Sequence, residues 1–374
     1  MKYYLSVFIF SFIGVLCVTP VVEAHPASGI VVDTKGNVYF SDLETIWKLE
    51  TSGRLTVFRA GVRGRHIHEL AIDPKDNIFG ADISYESERW ISAVWRMTPN
   101  GDLTYLLEPT ANPPLGMSLW QDRNGNMYLV DQNNHTKTRT LLLRRSPDGI
   151  VTTLSGDAWG HVDGKGTAAR FGSIGGMTIG ADESIYLTDG DSLRKVTMDG
   201  TVTTIARQLA KRNSEDSPTL FGGEHGSLAG LSLAFDGSIY VADSGNRRVL
   251  KVKDGKSEVV LRSEPPFLPT GVTATNSGDV YILEVGFTLP NISSGPRVRK
   301  VTADGKTVIV ATVGQNPNDR STAALAMEKA GVAAESLLQF FYESRAARYV
   351  LTITALALVV ATVIWRRRRK ERRA

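Results

Sequence analysis

The chain has 374 residues, of which 42% are hydrophobic and 22% are charged, and its formal net charge is +4. Residues 366–374 carry +6 and residues 1–24 carry zero, so residues 25–365 have a net charge of −2. Without a basic surface to neutralise phosphates, the composition disfavours a nucleic-acid partner. The only cysteine is Cys17, so the chain beyond it forms no disulfide, thiol nucleophile or cysteine-based zinc site.

The first 24 residues are typical of a cleaved secretory signal. Lys2 precedes an apolar run from Leu5 to Val18, and the small-residue sequence Val22-Glu23-Ala24 follows. A charged start, an apolar centre and a small-residue exit mark a segment that is removed and takes no part in the fold. We therefore expect the mature chain to begin at His25 and to lie outside the cytoplasm.

Six units of similar sequence occupy residues 29–313. Each unit has an apolar strand, a turn, a second strand that ends in an acid, and two further strands joined by a Gly turn. The acids lie 40, 49, 58, 54 and 41 residues apart, which fits four short strands with variable loops, the size of a propeller blade. These acids are Asp42, Asp82, Asp131, Asp189, Asp243 and Glu284.

The repeat predicts an all-β fold, a single six-bladed propeller over residues 25–313. One blade cannot bury its own apolar faces, so the six units should close into a ring, although the sequence does not indicate how. Because the acid recurs in every unit, we expect it to be structural and to accept hydrogen bonds from a nearby turn. Tight hairpins need positive φ, which glycine supplies in the second turn of each unit. These glycines are Gly53, Gly101, Gly149, Gly200, Gly255 and Gly305.

Beyond the sixth unit, the chain divides into three segments. Residues 314–348 combine good helix formers with an apolar stripe, which favours a helical stalk; a helix lying on the propeller is the alternative. Residues 349–365 are uncharged and predict one slightly short transmembrane helix. The basic residues 366–374 place this tail in the cytoplasm and the propeller on the periplasmic, extracellular or lumenal side.

Two stretches resemble the NHL repeat. They are VADSGNRRVLKV, from Val241 to Val252, and DGKGTAARFGSIGGMTIGADESIYLTD, from Asp163 to Asp189. The resemblance implies a propeller of NHL type, related to SMP-30/gluconolactonase-like and amidating-lyase propellers. The family includes protein-binding and RNA-binding scaffolds, and its structural relatives include lactonases and lyases. The resemblance therefore implies a fold more specifically than an activity.

Histidines gather at one face of the predicted ring. In a propeller, the segments that lead into the inner strands and the links between second and third strands open on the same face, where a ligand would bind. The densest group is His66, His68 and Glu69, and Glu69 stands where the other five units have Gly. This group resembles the histidine before an inner strand in amidating lyases, where imidazoles from several blades hold zinc.

The equivalent positions in the other blades carry no histidine, so the resemblance does not extend to a full zinc site. A divalent ion, Zn²⁺ or Ca²⁺, would have His68, Glu69 and His225 as candidate ligands. The alternative is that these histidines are exposed or bonded locally. No cofactor is firmly indicated.

Three long links between second and third strands bring further side chains to the same face. Aromatic and arginine side chains in exposed loops anchor protein or glycan partners, and simple packing of the loops is the alternative. No nucleophile elbow, phosphate-binding loop or HExxH motif is present. The side chains in these links are Tyr85, Trp90, His135, Phe287 and Arg297.

We therefore expect a membrane-anchored binding scaffold with a protein, small-molecule or glycan ligand. The alternative is a metal-assisted hydrolase or lyase of the lactonase or amidating-lyase type, in which His68 and Glu69 would act at the channel mouth. A third interpretation is a structural propeller that assembles membrane complexes through its stalk. The predicted ligand face comprises His66, His68, Glu69, Tyr85, Trp90, His135, Phe287 and Arg297.

Overall fold

Short strands joined by tight turns form six separate antiparallel sheets in the computed structural model, a six-bladed β-propeller. The structure describes residues 29–111, 119–132, 137–213, 216, 228–288 and 292–314. The predicted signal, transmembrane helix and cytoplasmic tail lie outside these residues, as does the helical stalk beyond Gly314. Across the part that the structure describes, no helix has the length and apolar character needed to cross a membrane.

Each sheet is one blade built on four consecutive strands, and the first of these four lies nearest the central axis. Blade 1 contains β1 (Ile30–Val32), β2 (Val38–Ser41), β3 (Ile46–Leu49) and β4 (Leu55–Arg59). Blade 2 contains β5 (Leu70–Ile72), β6 (Ile78–Glu86), β7 (Arg89–Met97) and β8 (Leu103–Ala111). Blade 3 contains β9 (Leu119–Gln121), β10 (Met127–Gln132), β11 (Arg139–Arg145) and β12 (Val151–Ala158).

Blade 4 has a short additional strand, β13 (Gly164–Lys165), which pairs with its outermost strand. Its other strands are β14 (Ile174–Ile179), β15 (Ile185–Asp189), β16 (Ser192–Val196) and β17 (Thr201–Ala206). Blade 5 contains β18 (Leu228–Leu233), β19 (Ile239–Asp243), β20 (Arg248–Lys253) and β21 (Lys256–Arg262). Blade 6 contains β22 (Phe267–Ala274), β23 (Val280–Thr288), β24 (Ile292–Val301) and β25 (Thr307–Thr312).

The hydrophobic core lies between the blades. Each of six buried clusters combines side chains from two neighbouring blades, because both faces of every sheet carry alternating apolar residues. The tight turns follow the sequence prediction. The six glycines predicted in the turns between third and fourth strands all have positive φ, between 72° and 94°.

The ring closes without exchange of a strand between the chain ends. Blade 1 and blade 6 each contain four strands from one continuous segment. Ile30 and Phe40 of blade 1 pack in one buried cluster with Leu283 and Val298 of blade 6. Side-chain packing between sheets therefore joins the first and last blades, which answers the question that the sequence left open.

One face of the ring, here called the top face, carries the segments that lead into the inner strands and the links between second and third strands. The inner strands are crowded where they begin. A Cβ on Gly29 would lie 2.8 Å from Leu70 Cγ, and one on Gly176 would lie 2.9 Å from the Ala229 carbonyl oxygen. Glycine occupies this position in blades 1, 4, 5 and 6 and lets neighbouring blades approach closely. The expectation of glycine in five units was wrong for blade 3, because its register begins at Leu119 and the preceding residue is not glycine. Blade 2 has Glu69 there.

The acid at the end of every second strand is held by a donor from the third strand or its approach. Trp47 Nε1 donates to Asp42 at 2.7 Å, and Trp95 Nε1 donates to Asp82 at 2.9 Å. In the other four blades the donor is an arginine, and each arginine forms an ion pair with its acid. The arginine–acid pairs are Arg139–Asp131, Arg194–Asp189, Arg248–Asp243 and Arg297–Glu284.

These contacts refine the expectation that the acids are structural. Turn groups do contribute: the backbone N–H groups of Glu44 and Thr45 donate to Asp42. In blade 2, by contrast, Asp82 also accepts hydrogen bonds from both terminal nitrogens of Arg59, each at 2.6 Å. The expected turn donors are therefore only part of the network, because a buried carboxylate requires strong or cationic donors.

Two of the expected long loops are continuous strands. β6 and β7 pair along their full lengths from Ile78↔Met97 to Glu86↔Arg89. Ser87 and Glu88 at the tip have φ of 49° and 62°, the backbone of a type I′ turn. In blade 6, β23 and β24 are likewise extended to Thr288 and Ile292. Among the described residues, the hairpins of blades 2 and 6 therefore extend farthest on the top face, on either side of blade 1.

We predict that Arg194→Met destabilises the propeller by about 3–5 kcal/mol at pH 8, because it leaves the buried Asp189 carboxylate without its only permanently charged partner among the described residues. Lys195→Met is the control on the same strand. Lys195 pairs with Asp182 at the surface, so its loss should cost less than about 1 kcal/mol. Urea unfolding of the two variants measures this difference, and equal costs would show that the buried pair contributes no more than a surface pair.

Candidate functional site

The inner strands surround a cavity of about 220 Å³ on the propeller axis. Its wall is mainly aliphatic, with hydroxyl groups from Thr178, Ser232 and Thr273. Glu69 is the only ionisable side chain among the described residues of this wall. It immediately precedes β5, so it lies at the top-face end of the channel. The replacement of glycine in one blade therefore places a carboxylate at the channel mouth.

His66 and His68 lie beside this carboxylate, on the segment that leads into β5. His66 exchanges two backbone hydrogen bonds with Ile83 of β6, at 2.8 and 2.9 Å, which fixes the segment against blade 2. The carbonyl oxygen of His68 accepts a hydrogen bond from Gly29 N at 2.8 Å, so the same segment also joins blade 1.

The two imidazole rings share one side of the segment, as their spacing predicts. Their centroids are 5.9 Å apart, with an angle of 76° between the planes. His66 is exposed, whereas the side chain of His68 is buried at 7% exposure. Solvent or a ligand therefore reaches His66 more readily than His68.

The described residues do not complete a metal site. Among the residues that the structure describes, no group of three or more His, Cys, Asp or Glu side chains could hold an ion. His68 and Glu69 supply at most two donors, whereas a catalytic zinc needs three protein ligands. The third candidate, His225, and the face residue His135 lie outside the described residues.

An aromatic pair stands at the tip of the β6–β7 hairpin. Tyr85 and Trp90 are paired across the two strands and are 60% and 58% exposed. Their ring centroids are 5.1 Å apart at an angle of 61°, an edge-to-face contact. A two-residue turn carries the pair above the top face. Phe287 lies in β23 of blade 6, opposite Ser293.

Arg297 lies in strand β24 and not in an exposed loop as expected. The register places it opposite Glu284, and its side chain is only 10% exposed. Its Nε donates to Glu284 at 2.6 Å, and its guanidinium lies 3.6 Å from the ring centroid of Phe267. Arg299 donates to the same oxygen at 3.0 Å. Arg297 therefore balances a buried acid, which removes it from the surface available to a partner.

His161 and Asp189 form a polar pair on the top face that the sequence analysis did not predict. His161 Nδ1 lies 3.1 Å from an oxygen of the buried Asp189, and its side chain is 42% exposed. A Cβ on Gly172 would lie 2.6 Å from the imidazole, so this glycine makes room for the ring. The hydrogen bond to Asp189 raises the pKa of His161, against the opposing effect of burial. The two glycines that approach the ring, Gly172 and Gly190, were the available sequence signal.

No family model and no curated protein matches the chain. Among solved structures, virginiamycin B lyase from Staphylococcus aureus is similar at 13% identity and a TM-score of 0.47, over 79% of this chain and 87% of that chain. A gluconolactonase from Xanthomonas campestris is similar at 13% identity and a TM-score of 0.46, over 69% and 83%. A protein of unknown function from Bacteroides thetaiotaomicron is similar at 15% identity and a TM-score of 0.48, over 71% and 68%.

The structural neighbours thus include a lyase and a lactonase. Likenesses at this level of identity and TM-score carry no argument about the activity or ligand of this chain. The assignment of a six-bladed propeller rests on the six sheets and the packing between them.

We predict that His161 stabilises the fold only at low pH. A histidine whose pKa is raised by folding contributes stability below its unfolded pKa of about 6.5, and loses that contribution as pH rises through the folded value. His161→Gln should therefore lower the melting temperature more at pH 6 than at pH 9. His66→Gln, at an exposed ring on the same face, is the control. An equal loss for His161→Gln at both pH values would contradict the ionic role of the pair.

Proposed function

We propose that this protein is a binding propeller whose ligand site is the channel mouth on the top face. The observation that carries the proposal is Glu69, a carboxylate at an inner-strand position where blades 1, 4, 5 and 6 have glycine. Glycine there serves packing, whereas Glu69 adds a carboxylate to the wall of the channel mouth. Recognition of a ligand that enters from the top face uses such a group.

The chemistry of the mouth favours a small polar group on that ligand. The cavity is too small for a folded partner to enter, and its wall combines aliphatic surface with a few hydroxyls and one carboxylate. A carboxylate accepts hydrogen bonds and attracts cations, so an amino or hydroxyl group fits it best. Such a group is found on small molecules, glycans and protein side chains, and His66 provides a further contact at the rim.

The location of the protein is part of the proposal and rests on the sequence. The signal, the transmembrane helix at residues 349–365 and the basic tail favour a single-pass membrane protein with the propeller outside the cytoplasm. The two NHL-like stretches favour a propeller of NHL type. Binding, rather than catalysis, is favoured because no arrangement of a nucleophile, a base and an orienting group is present at the described mouth.

We predict that Glu69→Gln weakens ligand binding by about ten- to a hundredfold, the effect of losing a charged hydrogen-bond acceptor. Amines, polyols and glycans are screened for those that raise the melting temperature of the full-length protein, and affinities are then measured by calorimetry. Glu86→Gln is the control, because it removes the same charge from the same face at a residue bonded to Ser84. Ligands that bind Glu69→Gln as tightly as the wild type would contradict the site.

A metal-assisted hydrolase or lyase is the second candidate, and His68 next to Glu69 at the mouth is the observation that favours it. The described residues lack the third ligand, so this function would need a donor such as His225 from outside them. Both candidate functions would use Glu69 at the channel mouth. A direct metal measurement separates the two.

If the second candidate holds, the full-length protein purified without a His tag should contain one divalent ion per chain. Chelation should lower its melting temperature, and His68→Ala should lose the ion. His66→Ala, at the exposed neighbouring ring, is the control and should retain it. A metal-free protein that melts at the same temperature with and without chelator would exclude the metal-assisted function.

A further inference from the structure

We propose that the tip of the β6–β7 hairpin, residues 84–91, rests on the surface of the lipid bilayer in which the chain is anchored. The inference depends on the membrane anchor of the proposed function and assigns a role to Tyr85 and Trp90 that ligand binding at Glu69 does not use. It is carried by the position of the hairpin, by its exposed aromatic pair and by the place where the chain leaves the propeller.

The hairpin and the outgoing chain lie on the same face. β25 is antiparallel to β24, with Val301 opposite Thr307 and Arg297 opposite Thr312. Because β24 begins at the top face, β25 runs toward that face and ends there. Val313 N then donates to Pro296 O at 2.9 Å, beside the start of the extended β23–β24 pair. The predicted anchor at residues 349–365 therefore follows a chain that leaves from the top face.

The side chains at the tip suit the interface between water and lipid. Trp and Tyr are the residues enriched at the headgroup level of membranes, where one end of the ring is apolar and the other polar. Tyr85 and Trp90 are both more than half exposed, and the type I′ turn projects them past the blade. The most exposed aromatic elsewhere in the described residues, Phe235 at 89%, lies in the β18–β19 turn on the opposite face.

The charge of the tip indicates that the contact is not electrostatic. Glu86 and Glu88 outnumber Arg89, so the tip gains nothing from anionic lipids. Two aromatic side chains bind a membrane weakly when the protein is free in solution. An anchor in the same membrane raises the effective concentration of the surface, so the contact needs little intrinsic affinity. We therefore expect the contact between the hairpin tip and the lipid surface to be insensitive to salt and to depend on the anchor.

The test places one fluorescent label at the tip of the full-length chain in phosphatidylcholine vesicles. Ser87→Cys carries an environment-sensitive dye, in a chain with Cys17→Ser so that no other thiol is present. Asn100→Cys is the matched control, because it lies in the turn at the opposite end of β7 in the same blade. Embedding is established first by resistance to alkaline carbonate extraction, and iodide then measures the exposure of the dye to water.

We expect iodide to quench the dye at residue 87 at least about twofold less than the dye at residue 100, at low and high salt alike. Adding Tyr85→Ser and Trp90→Ser should abolish the difference, without lowering the melting temperature, because both rings are exposed. Equal quenching at the two positions of an embedded chain would overturn the proposal. Shielding that survives the double replacement, or that appears only when a second protein is added, would overturn it as well.

Failure of the anchor gives a different result. If carbonate releases the chain from the vesicles, the membrane-anchored part of the proposed function is wrong, and the hairpin proposal falls with it. If the chain stays embedded and only the quenching difference is missing, the anchor stands and the hairpin proposal alone is wrong. Ligand binding at Glu69 is independent of both outcomes.

Discussion

A carboxylate that ends the second strand of each blade, held by a donor on the third strand or its approach, is the contact on which the top face depends. Four blades supply an arginine and two supply a tryptophan N–H as the donor. The carboxylate is buried in blades 2, 4, 5 and 6 and half-buried in blades 1 and 3. Each pair ties two strands together at the end where the chain leads into the neighbouring blades. The segments that carry His66, His68 and His161 are built on this frame.

The ring requires little else. Apolar clusters between neighbouring blades close it, including the pair formed by blade 6 and blade 1, and glycines at the start of the inner strands allow the close approach. Glu69 departs from this rule in one blade and makes the channel mouth chemically different from a simple packed centre. The extended hairpins of blades 2 and 6 rise on either side of blade 1, so the same face carries the channel mouth, the aromatic tip and the outgoing chain. On the proposed arrangement, the protein would bind a ligand at Glu69 close to the membrane.

The sequence predicted the six-bladed ring and its turns, because the repeat fixes the number of blades and Gly marks each positive φ. It did not predict that β6 and β7 continue through Tyr85 and Trp90, since the alternation of Ile83 and Tyr85 with polar residues is short and the charged residues 86–89 that follow it are typical of a loop. The burial of Arg297 also escaped prediction, because it depends on the register of two strands. His161 meets Asp189 across a loop, a contact that no local spacing encodes. Glu69 at the channel mouth could be recognised from the sequence only because it replaces a glycine of the repeat.

The claim that Glu69 serves a ligand rather than the fold is tested most directly by restoring glycine at that position. Ligands selected by thermal-shift screening of the wild type should bind Glu69→Gly at least about tenfold more weakly, because the charged hydrogen-bond acceptor is gone. Urea unfolding of the same variant without ligand establishes that it is folded. Undiminished affinity in folded Glu69→Gly would contradict the account.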